Sequence, residues 1–370
     1  MTPKFDTLPQ AAHWYEAWLA EAALPLWADA GVDPAGGLFQ EKLSVEGRPV
    51  EAPRRARSQA RQVFVFAEAA RAGYGARWLE VAKTGFTRFL AAYARPDGLV
   101  MNSAAADGTP IDREADNYQQ AFLMLAQAAL TAADPAGPDL EAQALAALAT
   151  LAKRRTPGGG FRENGPHPYQ ANCHMHLFES ALAWEAVGGP AWAALSDEIA
   201  ELALRRFIEP QGAVLREFFD ADWQALEGEG GLIEPGHQFE WAWLLDRWGA
   251  ARGRDDALHM ARRLYVTGLR GVDPVRDVAV NALWEDLTVR DGAARLWVQT
   301  EHLKAALATG REGDALLAAR GLAKYLDTPC RGAWRDRLQP DGSFVEEPAP
   351  ATSFYHLMVA ILELSAAARR

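Results

Sequence analysis

Cysteine is nearly absent from this sequence: Cys173 and Cys330 are the only two in 370 residues. Two thiols so far apart build no disulfide framework, and they suit a reducing, cytoplasmic setting. No run of about 18 apolar residues occurs, so nothing reads as a membrane-spanning helix. The stretch Met1 to Gln10 lacks the apolar core of a secretory signal. Basic charge is outnumbered, with 38 Lys and Arg against 49 Asp and Glu, a net −11. That excludes the basic surface that nucleic acid or an anionic membrane requires. Charge blocks and low-complexity segments are missing too. So are a G-x-S-x-G elbow, a P-loop, a dinucleotide fingerprint and H-E-x-x-H. The Gly-rich Gly228-Glu229-Gly230-Gly231 neither follows a strand nor directly opens a helix.

Apolar residues make up 49% of the chain, enough to bury a large core. Thirteen Trp and fifteen Phe stand out. Aromatics line sugar sites, but they also fill helix-packing cores, which is the default reading. Ala- and Leu-rich helical periodicity dominates. It predicts twelve helices, over roughly 9–29, 56–72, 76–93, 115–133, 138–155, 172–187, 190–207, 235–250, 253–269, 295–309, 312–327 and 352–367.

The connections alternate in length. Tight Gly-containing turns such as Ala72-Gly73-Tyr74-Gly75 and Val187-Gly188-Gly189 join helix pairs. The others run about 15 to 28 residues, long enough to carry function. They resemble one another, as in Gly37-Leu38-Phe39-Gln40-Glu41, Gly98-Leu99-Val100-Met101-Asn102 and Gly212-Ala213-Val214-Leu215-Arg216-Glu217. Short β-ribbons are expected in them. Helix pair plus long loop repeats about every 60 residues. An open solenoid needs capping repeats at its ends. Pairing the twelfth helix with the first instead closes six hairpins into an all-α (α/α)6 barrel, one domain over residues 1–370. All long loops then lie at one end. If the even-numbered helices form the inner ring, six helix N-termini converge on one cavity suited to polar ligands and developing negative charge.

The helix starts carry the candidate chemistry. Pro235-Gly236-His237-Gln238-Phe239-Glu240-Trp241 opens a helix with His237 in its first turn and Glu240 on the same face. The positive end of the macrodipole disfavours an imidazolium there, so His237 and the similarly placed His356 are expected to be neutral. The last helix opens Thr352-Ser353-Phe354-Tyr355-His356, with Thr352 or Ser353 as the expected N-cap. His176 and Glu179 repeat the His237 and Glu240 spacing, and Asn172 shares the face of His176. His174 and His176 point about 200° apart on a helix, so H-x-H is no zinc signal here. Arg57, Tyr118, and Trp297 with Glu301 occupy the remaining starts.

Taken in order and spacing, these residues resemble the N-acylglucosamine 2-epimerase superfamily, over nearly the whole chain. The closest matches are Gly236-His237 with Glu240, Trp297 with Glu301, and Tyr355-His356. Tyr118 ahead of Ala121-Phe122 and Arg57 near Gln59-Ala60-Arg61 also fit. Asn172 with His176 looks like the mannose and sulfoquinovose isomerase branch. The resemblance implies an (α/α)6 barrel that removes the C2 proton of an opened aldose to give a cis-enediolate. Returning the proton to C1 yields a ketose; returning it to the other face of C2 yields the epimer. Mannose-to-fructose isomerisation is the first expectation. On that reading His356 is the C2 base and His237, held by Glu240, its acid/base partner. Arg57 offsets the enediolate charge, while Tyr118, Asn172, His176, Glu240, Trp297 and Glu301 position the sugar. No metal or redox cofactor is required, and the expected partner is a small sugar handled by a monomer or homodimer. A glycoside hydrolase using Glu240, Glu301 and Asp116 is the enzyme alternative, and a sugar-binding or protein-interaction module the non-enzymatic one.

Overall fold

A computed structural model describes residues 5–370. Met1–Lys4, the start of the stretch read for a signal, lie outside the described residues. The described helices, in chain order, are α1 (Leu8–Trp18), α2 (Leu24–Asp29), α3 (Ala56–Arg71), α4 (Arg77–Tyr93), α5 (Asn117–Ala133), α6 (Leu140–Leu151) and α7 (Ala171–Glu185). They continue with α8 (Ala191–Leu202), α9 (Pro235–Arg252), α10 (Asp255–Gly268), α11 (Leu296–Ala308), α12 (Glu312–Ala323) and α13 (Thr352–Ala368). The first expected helix is α1 and α2 joined by a π-turn over Leu19–Ala23. Pro25, at the start of α2, has no N–H to continue the ladder, which accounts for the wider turn before it.

Helices α3, α5, α7, α9, α11 and α13 pack side to side in that order, and α13 returns onto α3. They form the inner ring of an (α/α)6 barrel. Each outer helix packs on the inner helix it precedes or follows, and α1 lies against α13. Inner and outer helices differ in pattern for that reason. Outer α4 is amphipathic, burying Trp78, Ala82, Phe86, Phe89 and Tyr93 at three- and four-residue spacing. Inner α9 is buried nearly all round, because outer helices cover its back and the barrel interior its front.

The expected ribbons are present, and they link neighbouring repeats. The strand before α3, Arg54–Arg55, pairs with Ser103–Ala104 of the next long loop. Tyr169–Gln170 pairs with Phe218–Phe219, and Ala294–Arg295 with Arg337–Leu338. Lys42–Leu43 pairs with Ala349–Pro350, which closes the circuit between the first and last loops.

One repeated device pins the loops to the inner helices. Gln59 accepts from the N–H of Phe39 and donates to its carbonyl, both at 2.8 Å. Gln120 grips Val100 in the same way, Gln238 grips Leu215, and Gln299 grips Ala279. In the α7 repeat His174 stands in this place, its Nε2 accepting from the N–H of Phe161 at 2.8 Å. Its Nδ1 therefore carries the proton and donates to the Gln170 carbonyl at 2.8 Å. Each fork satisfies backbone groups that burial would otherwise leave unpaired.

Candidate active site

The inner helix starts and the loops above them enclose a cavity of about 220 Å³. Arg57, Tyr118, Asn172, His176, His237, Glu240, Trp297 and His356 all line it, as the helix-start reading expects. Glu301 does not. It is fully buried behind the wall, with Oε1 on His356 and Oε2 on Lys304. Asp116 stands at the N-cap position of α5, without a side-chain capping bond, and takes no part in the lining.

Three histidines present the same design. Each has its Nδ1 held by a carboxylate, which leaves Nε2 for a ligand. His356 Nδ1 lies 2.8 Å from Glu301 Oε1. His176 Nδ1 lies 3.3 Å from Glu179, the expected pair, whose Oε2 also accepts from the Tyr355 hydroxyl. His237 departs from expectation. Its Nδ1 is held by Glu217 at 2.9 Å and Glu234 at 3.0 Å, not by Glu240. Glu240 points past it into the ring interior, where both of its oxygens lack a hydrogen-bond partner and Oε1 lies 3.8 Å from His176.

The charge states follow from these partners. Burial holds His356 well below the usual histidine pKa, helped by Arg61, Lys304 and His176. Burial lowers His176 to about 4. Burial acts on His237 too, but Glu217 and Glu234 outweigh it and raise that ring well above the usual value. The neutral His237 expected from the helix dipole is thus corrected to an imidazolium. Two carboxylates at contact distance exceed a dipole effect of about 1 kcal/mol. Glu240 is pushed well above the carboxylate range by burial and by Glu301 and Glu179, which makes it a neutral carboxyl able to donate. The expected N-cap of the last helix is corrected as well. Ala351 occupies that place without a side-chain cap, and Ser353 donates to Asp336.

Trp297 stands between the cationic His237 and the neutral His356. Its ring centroid is 5.2 Å from that of His237 and 5.8 Å from that of His356. Gly236 makes this possible, since a Cβ there would sit 2.4 Å from the indole. On the other side are the arginines. Arg61 donates to the Tyr118 hydroxyl at 3.0 Å and lies 4.0 Å above the Phe122 ring. Arg57 stacks 5.3 Å from the Tyr118 ring. Burial, with Arg55 and Arg61 close by, lowers its pKa to about 10. Arg55 and Arg295 complete the rim. Arg54 turns away to Asp33 at 2.8 Å.

Several of these residues escape a reading of helix starts alone. Arg61 shares the face of Arg57 one turn on, the offset that relates His176 to Asn172, so its signal was available. Glu217 and Glu234 sit in the long loop before His237, and Lys304 lies one turn beyond Glu301. No local pattern points any of them at a histidine.

Known proteins resemble the chain in sequence and in fold. The chain is 46% identical to a mannose-6-phosphate isomerase of Rhizobium meliloti (strain 1021), over 95% of this chain and 96% of that one. Its fold matches a cellobiose 2-epimerase from Spirochaeta thermophila with a TM-score of 0.87, at 24% identity over 98% and 97% of the two chains. It matches a D-mannose isomerase with a TM-score of 0.86, at 20% identity over 95% and 97%. The family described as N-acylglucosamine 2-epimerase (GlcNAc 2-epimerase) matches residues 37–360. With that match and the barrel around its six helix starts, the chain belongs to the N-acylglucosamine 2-epimerase family.

Proposed function

We propose that the protein interconverts mannose and fructose by histidine acid/base chemistry through a cis-enediolate. The observation that carries this is the different setting of the two histidines flanking Trp297: His237 lies between two carboxylates that favour its cation, and His356 is held by Glu301 in surroundings that favour its neutral form. His356, neutral and with its proton on Nδ1, takes the C2 proton of the opened aldose through Nε2. His237, as an imidazolium, protonates the ring oxygen and then takes the proton of the C1 hydroxyl, which opens the ring to the aldehyde and restores the charge on His237 for the next step. The C2–H bond breaks and the C1–C2 enediolate forms with its charge on O1; the O2 proton passes to O1 by way of His237, and His356 returns the carbon-bound proton to C1 as C2 becomes the ketone. Arg57 and Arg61 face the enediolate charge from the other wall. Neutral Glu240, Asn172, His176 and Tyr118 offer hydrogen bonds to the hydroxyls. Names of relatives at both the sequence and the fold level support isomerisation or 2-epimerisation of such sugars.

The test is NMR of mannose with the protein in D₂O. Fructose with deuterium entering at C1 is expected, and glucose as sole product would assign epimerisation instead. His356→Ala and His237→Ala should each lose at least roughly a hundredfold in turnover. Near-normal turnover in both would remove the assignment.

A phosphorylated substrate is the second reading. Arg57 has no carboxylate partner among the described residues, and Arg55 and Arg295 stand beside it on the rim of a chain whose net charge is −11. The relative at 46% identity is named for mannose 6-phosphate. A kcat/KM for mannose 6-phosphate at least tenfold above that for mannose, lost in Arg55→Ala or Arg295→Ala, would support it; equal values would refute it. We further propose that residues 1–370 act as one catalytic domain, in the cytoplasm, as a monomer or homodimer. The free thiols of Cys173 and Cys330 support the reducing setting.

A further inference from the structure

Lys304 is a lysine with no exposed surface, placed on α11 one turn beyond Glu301. A buried ammonium is costly unless it is paired. Its Nζ lies 2.6 Å from Glu301 Oε2, and 3.9 Å from the centre of the Trp243 ring. The other oxygen of Glu301 is the one that holds His356 Nδ1, at 2.8 Å. The three groups thus form a line from the barrel interior to the cavity, and Lys304 itself does not reach the cavity lining.

We propose that Lys304 is a positioning residue for the reaction: it secures Glu301 as a carboxylate, and Glu301 in turn fixes the proton of His356 on Nδ1 so that Nε2 faces the sugar as a base. The proposal rests on the isomerase reading for its catalytic consequence, and on geometry alone for the tautomer.

The alternative state of the line shows why the ammonium matters. Glu301 is fully buried and shares its surroundings with the carboxylate of Glu179 of α7, so burial and a like charge both oppose its ionisation. Without Lys304 it takes up a proton. A protonated Glu301 donates to Nδ1 instead of accepting from it, and the imidazole proton moves to Nε2. His356 then presents N–H to the cavity and cannot accept the C2 proton. The groups facing His356 are Glu301 and Lys304 from α11, Arg61 from α3, His176 and Glu179 from α7, Glu240 from α9 within 4.8 Å, and the Trp297 ring. Of these, only Glu301 touches Nδ1, so it alone selects the tautomer.

Two readouts on the full-length protein test this. Long-range ¹H–¹⁵N spectra of ¹⁵N-histidine-labelled protein report which nitrogen of His356 carries the proton, without any substrate. At pH 7 the wild type should show the Nδ1–H form and Lys304→Met the Nε2–H form, with Lys304→Arg keeping Nδ1–H. The same tautomer in wild type and Lys304→Met overturns the proposal, whatever the substrate is. In turnover, Lys304→Met should lose at least tenfold in kcat with KM changed less than threefold, and the acidic limb of kcat should move to higher pH. Lys304→Arg should recover most of the loss. A loss of kcat with an unmoved pH profile, shared equally by Arg and Met, would make Lys304 merely structural and refute the idea. Should Lys304→Met fail to fold, Glu301→Gln reads the same link. Its amide NH₂ donates to Nδ1, so the Nε2–H form is expected, and Nδ1–H would overturn the proposal.

Discussion

Glu217 Oε2 lies 2.9 Å from Nδ1 of His237. A loop carboxylate thereby sets the charge on an inner-ring histidine, against both burial and the helix dipole. Glu217→Gln should undo part of this. A histidine raised above its ordinary pKa is protonated at lower pH and loses its proton as pH rises through the raised value. An activity that needs the imidazolium is therefore lost on the basic side. With one carboxylate gone, the basic limb of kcat should fall by about one pH unit, equivalent to about 1.4 kcal/mol of lost interaction with the charged ring. Turnover against pH for both proteins measures it, and superimposable basic limbs would show that His237 does not act as the acid.

His174 offers a stability test away from the cavity. Burial lowers its pKa to about 4. For a histidine the sign is clear: the unfolded chain binds a proton below about pH 6.5, whereas the folded chain does not until about pH 4. Stability is therefore full above about pH 6.5 and falls as pH drops between the two values. Between pH 7 and pH 5 this one residue accounts for about 2 kcal/mol. His174→Gln installs the fork used in four other repeats and removes the titration. The variant should lose about 2 kcal/mol less than the wild type in urea unfolding between those pH values. An identical loss in both would mean His174 is not held neutral.

Gly236→Ala separates site geometry from stability. Alanine in a helix is favoured over glycine by about 1 kcal/mol. Here the new Cβ would meet the Trp297 ring at 2.4 Å and force it from its place between His237 and His356. The expected result is a melting temperature near that of the wild type with kcat/KM reduced at least tenfold. An unchanged kcat/KM would show that the position of Trp297 is unimportant to the reaction.

The helices, their pairing and the closure into six hairpins are legible in the sequence, because apolar periodicity and glycine turns are local signals. The forks of Gln59, Gln120, Gln238 and Gln299 are legible only in retrospect. Each glutamine follows the loop residue it grips by about twenty positions, and glutamine at a helix start has many uses. The cavity residues are legible for a different reason. Equivalent starts in six repeats face one axis, so Arg57, Tyr118, Asn172, His176, His237, Trp297 and His356 need no long-range information to be grouped together.

What the sequence by itself determined is therefore the barrel and the identity of the side chains at its mouth, since both follow from short-range periodicity repeated six times. What only the tertiary structure decided is the protonation of those side chains. His237 and His356 occupy equivalent places and feel similar helix dipoles. One is surrounded by Glu217 and Glu234, and the other is held by Glu301 in front of Lys304. Charge interactions depend on distance in space, and the partners that set them come from other loops and helices. Two similar helix starts thus come to hold one imidazolium and one neutral imidazole.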